Sequence, residues 1–464
     1  MLRAMMKRRD ALKTIGGLGA AAGMARFLPG CGGGGNGGDD GITTYVYLMM
    51  ENRSYDHYLG ARSMLEGKPG DGLVASMRNP DLDGNLVAPW QPTAQQMCDI
   101  DPPHGWDALR QAFNGGRNDG FVRQHQLVHD MDPMAIQPMQ YLTRKELPTT
   151  WTLADEYATA DRWFCSVMGP TFPNRYYWHT GESGGLMSNV LPPNGGFPWP
   201  SIYNRLRDKN IDWRYYHGSI SFVSLISNFD VADHVFSFAD FMFDAAAGKL
   251  PPVVYIDPFF NNNDDHPPVH PINGQELIAA VYTALATSPQ WNNCLLVVTY
   301  DENGGFFDHV APPKTVDARA ALGFDQLGFR VPTLVAGPYV KQGHVSSVVY
   351  DHTSALRELE RAFGLEPLNQ RTMAANDLSD FIDADRLARR DPRPPITLPD
   401  IDLTQWPQDP VACQGGTLRT DHPIIEFADA NPELVKDIDL RPHIPEYRRA
   451  IRELLANSRA TVEK

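Results

Sequence analysis

The sequence predicts an α/β sandwich, a mostly parallel sheet with helices on both faces, followed by an irregular C-terminal extension. Three observations lead there. Four short runs, residues 45–50, 253–256, 294–300 and 332–336, are apolar without alternation. A strand that is apolar on both faces must be covered on both faces, as in a parallel sheet between two helical layers. Stretches of helical period lie among these runs. Residues 275–286 place Leu277, Ile278, Val281, Tyr282 and Leu285 on one side, and residues 353–363 do the same with Leu356, Leu359 and Phe363. Asp351 or Thr353 can cap the second helix and Gly364 can end it. Strands alternating with helices give a layered α/β domain. From about residue 365 the pattern lapses. Asp391-Pro392-Arg393-Pro394-Pro395 interrupts the chain, and residues 446–456 read as a closing amphipathic helix.

The 464 residues suffice for a large core, and 42% hydrophobic with 21% charged residues is an ordinary folded composition. A formal net charge of -15 argues against a nucleic-acid partner, which would select a basic face. The first thirty residues run against this balance: Arg3, Lys7, Arg8, Arg9, Lys13 and Arg26 stand against Asp10. A basic start followed by a short run rich in Gly, Ala and Leu is the pattern of an export signal, too short and Gly-rich to span a membrane. Arg8-Arg9 resembles a twin-arginine signal, so the export machinery of that type is an expected partner. Leu28-Pro29-Gly30-Cys31 resembles a bacterial lipobox, which would make Cys31 a lipidated first residue and add a lipid anchor. The expected organisation is a signal over 1–31, a Gly-rich tether over 32–42, a catalytic domain over 43–392 and an extension over 393–464 packed on it. The product would be exported: periplasmic, anchored at the outer membrane, or secreted. Cys98, Cys165, Cys294 and Cys413 are too widely spaced for a zinc motif and are either disulfide partners or buried thiols; Cys294, inside an apolar run, reads as a buried thiol.

Chemistry is suggested by the residues at the strand ends. Glu51-Asn52 comes directly after the first run and Asp301-Glu302-Asn303-Gly304-Gly305 directly after the third. Ligands of open α/β sheets sit beyond the carboxyl ends of the strands, so these two clusters can converge. Crowded carboxylates repel, and carboxylate and amide oxygens suit a hard divalent cation. A third element is Gly169-Pro170-Thr171-Phe172-Pro173-Asn174-Arg175. Pro173 fits the first turn of a helix, which sets Thr171 at a helix start, where backbone N–H groups favour an anion. A cation nearby could turn the Thr171 hydroxyl into a nucleophile. His104, His266, His309 and His352 are candidates for proton transfer or for holding a phosphoryl oxygen, whereas His179, inside the helix after Thr171, reads as structural.

Met50-Glu51-Asn52-Arg53-Ser54-Tyr55-Asp56-His57-Tyr58-Leu59-Gly60 resembles the opening motif of the bacterial phosphoesterase family that holds phospholipases C and certain acid phosphatases. Thr299–Val310, Gly328-Phe329-Arg330-Val331-Pro332 and Tyr350-Asp351-His352-Thr353-Ser354 resemble its later motifs, in order. The resemblance implies an alkaline-phosphatase-like fold. It implies one divalent ion (Ca²⁺, Mg²⁺, Mn²⁺ or Zn²⁺) bound by Glu51, Asn52, Asp301, Glu302 and the Thr171 oxygen. It implies Thr171 as nucleophile, with His352 or His266 protonating the leaving alcohol. His104, Asn174, Arg175 and His309 are then candidate phosphate-binding residues. Threonine rather than serine at position 171 tilts the expectation to phospholipase C acting on phosphatidylcholine-like lipids, over a phosphomonoesterase acting on small phosphate esters or a non-catalytic surface lipoprotein. Asn303 departs from the His common at that position. The segment 171–175 also has the form of a sulfatase motif, but threonine cannot give the aldehyde which that chemistry needs.

Overall fold

The apolar runs assemble into the middle of one sheet. A computed structural model describes residues 41–462 apart from 95, 99–100, 193–195 and 403–421. The strands are β1 (Thr44–Met50), β4 (Ala158–Ala160), β5 (Trp213–His217), β6 (Val235–Ser237), β7 (Val253–Ile256), β8 (Cys294–Tyr300), β9 (Leu334–Ala336) and β10 (His344–Ser346), while β2 (Asn79–Pro80) and β3 (Leu86–Val87) form a separate small hairpin. Across the large sheet the order is β10-β4-β9-β8-β1-β7-β5-β6. β1 lies parallel between β7 and β8, β5 is parallel to β6 and β7, and β10 is parallel to β4. β9 runs antiparallel to both of its neighbours. Every residue of β1, β7 and β8 is buried, which is why those runs show no alternation.

The expected strand at 332–336 is shortened to β9, since Pro332 has no N–H to give a ladder. The helix expected at 275–286 starts earlier, at Pro271, with His270 Nδ1 accepting the Ile272 N–H at 3.1 Å. The helix His352–Phe363 is capped by Asp351 and closed by Gly364 in the left-handed region. Thr171–Thr180 is helical and buried throughout.

Two helices of the C-terminal part lie against this body. Ile444–Val462 runs along Pro271–Ala286, with Arg452 paired to Glu276 at 3.1 Å and the Tyr447 ring 5.7 Å from Phe259. Pro423–Ala430 buries Ile424, Ile425 and Ala428 in a cluster with Phe172, Tyr176, Phe222 and Phe260. The second of these helices therefore shares one apolar cluster with the helix that carries Thr171.

Cys165 and Cys294 are free, buried thiols. The export signal, Cys31, most of the tether and Cys413 fall outside the described residues, as does the Cys98 side chain. Among the described residues no helix is long and apolar enough to cross a membrane.

Candidate active site

The ladder explains how distant acids meet. Met50 pairs with Tyr300 and Leu48 with Ile256, so the residues that leave β1, β8 and β7, namely Glu51, Asp301 and Asp257, emerge side by side. Backbone bonds lock the exits: Asp301 N–H donates to Met50 O at 3.0 Å and Glu51 N–H to Asp264 O at 2.8 Å. Asn52 turns through a positive φ of 58° and its N–H reaches Asp301 Oδ1 at 3.1 Å. The same oxygen accepts the Glu302 N–H at 2.8 Å. Gly304 has to be glycine. Its φ is +59°, and a Cβ there would stand 2.2 Å from Asn52 O. Gly305 is crowded in the same way by Pro103 O, at 2.7 Å, which brings the loop of His104 against the acidic loops.

Arg175 ties in the third element. It is fully buried, 2.6 Å from Glu51 Oε1, 2.9 Å from Asp257 Oδ1 and 3.7 Å from Asp301 Oδ2. Thr171 lies four residues before it and so shares its helix face. Anchoring Arg175 on the acids thereby ties the helix that begins at Thr171 to the acidic loops. One guanidinium does not balance the carboxylates collected here. Burial pushes the acids of Glu51, Asp264, Asp301 and Glu302 upward, and mutual repulsion adds to it at the last three. Asp257 is pushed up to about 6 by burial, despite Arg175.

Whether these residues fit a metal ion can be read from their unused atoms. Glu51 Oε2, Asn52 Oδ1, Thr171 Oγ1, Asp301 Oδ2 and Glu302 Oε1 are all buried and none takes part in a hydrogen bond. Orphaned buried oxygens are costly, and five of them on the residues singled out from the sequence suit a divalent cation. A second group able to hold a cation lies alongside: ligand atoms of Asp101, His104 and His266 all fall within 4.8 Å of one another.

The histidines divide by what their ring nitrogens do. His104 Nδ1–H donates to Pro102 O at 2.7 Å, and its Nε2 faces Asn52 Nδ2 at 3.4 Å and Glu302 Oε1 at 3.6 Å. It is only partly buried, at the mouth of the cluster. His266 Nδ1–H donates to Pro267 O at 2.7 Å, and burial lowers this imidazole to about 3. A neutral ring with its proton on Nδ1 offers a lone pair at Nε2, which suits a cation rather than a leaving alcohol that needs a proton. His352 is engaged on both sides: Nε2–H donates to Asp301 O at 2.6 Å and Nδ1 accepts from Trp163 Nε1 at 3.5 Å. It braces the Asp301 backbone, and burial holds it down at about 4.

Three expected phosphate ligands have other occupations. Asn174 Oδ1 accepts the Val167 N–H, and its amide donates to Gly169 O and Pro170 O, so it shapes the loop before Thr171. Arg175 is spent on carboxylates. His309 stands in a separate ion cluster, with Nδ1 2.7 Å from Asp56, Nε2 3.0 Å from Asp71 and Arg330 bridging Asp56 and Asp308. Asn303, the departure from the family pattern, donates to Phe306 O at 2.9 Å and steadies the turn. His179 is buried against Tyr203, as a structural residue would be. Sequence reasoning missed Asp101, Asp257, Asp264 and His422. Asp257 stands just past a strand as Glu51 and Asp301 do, so the strand-end rule could have found it.

The phosphoesterase family matches residues 42–366. This chain belongs to that family. The phosphoesterase is 33% identical over 396 residues to non-specific phospholipase C6 of Arabidopsis thaliana, covering 78% of this chain and 75% of the relative. It is 29% identical over 388 residues to phospholipase C B of Mycobacterium tuberculosis, covering 70% and 74%. Among solved structures it overlaps a protein of the alkaline phosphatase superfamily from Vibrio parahaemolyticus at 12% identity and a TM-score of 0.36, over 50% of this chain and 64% of that one. As a member of its family, the phosphoesterase is a hydrolase of phosphoric ester bonds.

This geometry makes two outcomes measurable. Gly304→Ala should cost about 2–4 kcal/mol in urea denaturation and should remove most activity, because the new methyl drives the Asn52 and Asp301 loops apart. His309 is opposed by burial but lifted by Asp56 and Asp308 to about 9, above its ordinary 6.5. Its contribution is therefore fully present below pH 6.5 and is lost as pH rises through 9. Wild type should lose roughly 2–3 kcal/mol more than His309→Gln between those limits, as read by denaturation at each pH.

Proposed function

We propose that this chain is an exported, metal-dependent phospholipase C that cleaves the glycerol–phosphate bond of phosphatidylcholine-like lipids through a phospho-threonine. The carrying observation is the set of buried oxygens that accept no hydrogen bond on Glu51, Asn52, Thr171, Asp301 and Glu302, on a chain whose relatives bear the name phospholipase C. When bound there, a divalent cation would supply charge stabilisation for the phosphoryl oxygens and lower the pKa of the nucleophile's hydroxyl.

The chain's own residues do the rest. Thr171 Oγ1 attacks phosphorus in line, and the helix start beside it adds N–H groups that favour the anion. The bond from phosphorus to the glycerol oxygen breaks, leaving phosphorus esterified to Thr171 and the diacylglycerol oxygen in need of a proton. His104 Nε2, left with a lone pair because Nδ1–H donates to Pro102 O, takes the Thr171 hydroxyl proton, and the resulting imidazolium hands it to the diacylglycerol oxygen. Water then attacks the phospho-threonine and releases the phosphorylated head group. His352 keeps Asp301 in place, and His266 lines the wall beside His104.

Export is proposed from the Arg8-Arg9 signal and the apolar run behind it. Replacing both arginines by lysine should leave the protein in the cytoplasm of a bacterial host, as fractionation would show.

Thr171→Ala should lose several orders of magnitude in kcat on phosphatidylcholine with its fold intact, and near-wild-type turnover would refute the nucleophile. The wild-type enzyme should prefer phosphatidylcholine to p-nitrophenyl phosphate and fall silent in EDTA. Preference for the aryl monoester would instead make it a phosphatase.

A further inference from the structure

Beyond the segment that the family matches, the chain returns once more to the acidic cluster. His422 is buried, and its Nε2 lies 3.3 Å from Glu51 Oε2 and 3.4 Å from Asp264 Oδ2. Its ring packs against Phe260 and His266, with centroids at 5.0 Å and 4.9 Å. The other nitrogen settles the tautomer. Nδ1 accepts the Ile424 N–H at 3.2 Å and caps the helix Pro423–Ala430. A nitrogen that accepts carries no proton, so the hydrogen of the neutral ring sits on Nε2, directed between two carboxylates. A ligating nitrogen needs its lone pair, and this one has none to offer. His422 is thereby excluded from the metal's own ligands.

We propose that His422 is a positioning residue through which the C-terminal segment orients the metal-binding carboxylates. Glu51 is then held from both ends. Arg175 takes Oε1, and the His422 Nε2–H lies 3.3 Å from Oε2, an electrostatic contact short of hydrogen-bond geometry. Asp264 is coupled into the same unit: its carbonyl accepts the Glu51 N–H, and its carboxylate accepts the His266 N–H at 3.2 Å. A partner in this position orients a ligand and raises its affinity for the ion. The inference rests on the reading that Glu51 binds a divalent cation.

The test separates the capping role from the carboxylate role. His422→Asn keeps an oxygen that caps a helix well, but its short amide cannot reach Glu51. His422→Gln keeps an amide N–H of nearly the original reach. Mn²⁺ binding to the purified full chain is measured by titration calorimetry, together with kcat and KM on phosphatidylcholine and the unfolding midpoint in EDTA. The Asn variant should keep the metal-free midpoint, bind Mn²⁺ about tenfold more weakly and lose kcat with little change in KM. The Gln variant should recover most of the affinity. Mn²⁺ affinity in the Asn variant equal to wild type would overturn the inference, as would Asn and Gln variants that are equally weakened. A wild-type chain that takes up no Mn²⁺ would remove the metal reading itself, and this inference with it.

Discussion

Excess negative charge in a dry place is the constraint around which this molecule is built. Glu51, Asp257, Asp264, Asp301 and Glu302 are buried together, and Arg175 is the guanidinium set among them. Like charges at such distances cost several kcal/mol each in a medium of low dielectric. A fold that keeps them must bring in a counter-charge or protonate them. Much of the surrounding architecture is a consequence. The parallel register delivers the acids, Arg175 fastens the helix that begins at Thr171 to them, and the glycine pair lets three loops approach more closely than side chains would allow.

A second ionic cluster does structural work nearby. Arg330 joins Asp56 and Asp308 and also donates to the carbonyls of Asp71 and Asp161. It thereby connects the segment after β1 to the segment after β8 on the far side of the acidic loops. Here Arg330 meets two carboxylates, whereas Arg175 stands among a larger set. The contrast separates a cluster whose charges are matched within the chain from one whose carboxylates outnumber its guanidinium.

The sequence was most legible where local pattern and burial agree. The unbroken apolar runs of β1, β7 and β8 could be read because both of their faces are covered. β4, β6 and β10, of three residues each, are too short to carry a period and were invisible. Legibility of the site divided in the same way. The candidate oxygen ligands were legible because they stand at strand ends or open a helix. The roles of Asn174, Arg175, His309 and His352 were not, since each depends on which distant carbonyl or carboxylate claims the side chain. His270-Pro271 and His422-Pro423 make the point most clearly. Both are a histidine before a proline and both cap a helix through Nδ1. Only position 422 brings its second nitrogen to Glu51 and Asp264, and nothing within a few residues of either histidine foretells it.

The place of β1 in the sheet has a consequence for how the chain folds. It is the first strand of the domain to be synthesised, yet it sits between two strands made far later. Its hydrogen-bonding edges and its largely apolar surface must wait until β7 and β8 exist. Contacts of such long sequence separation slow folding and leave an aggregation-prone strand exposed meanwhile. A ribosome-bound intermediate of this protein is therefore a chain with its centre missing, and its demand on chaperones should peak midway through synthesis rather than at the end.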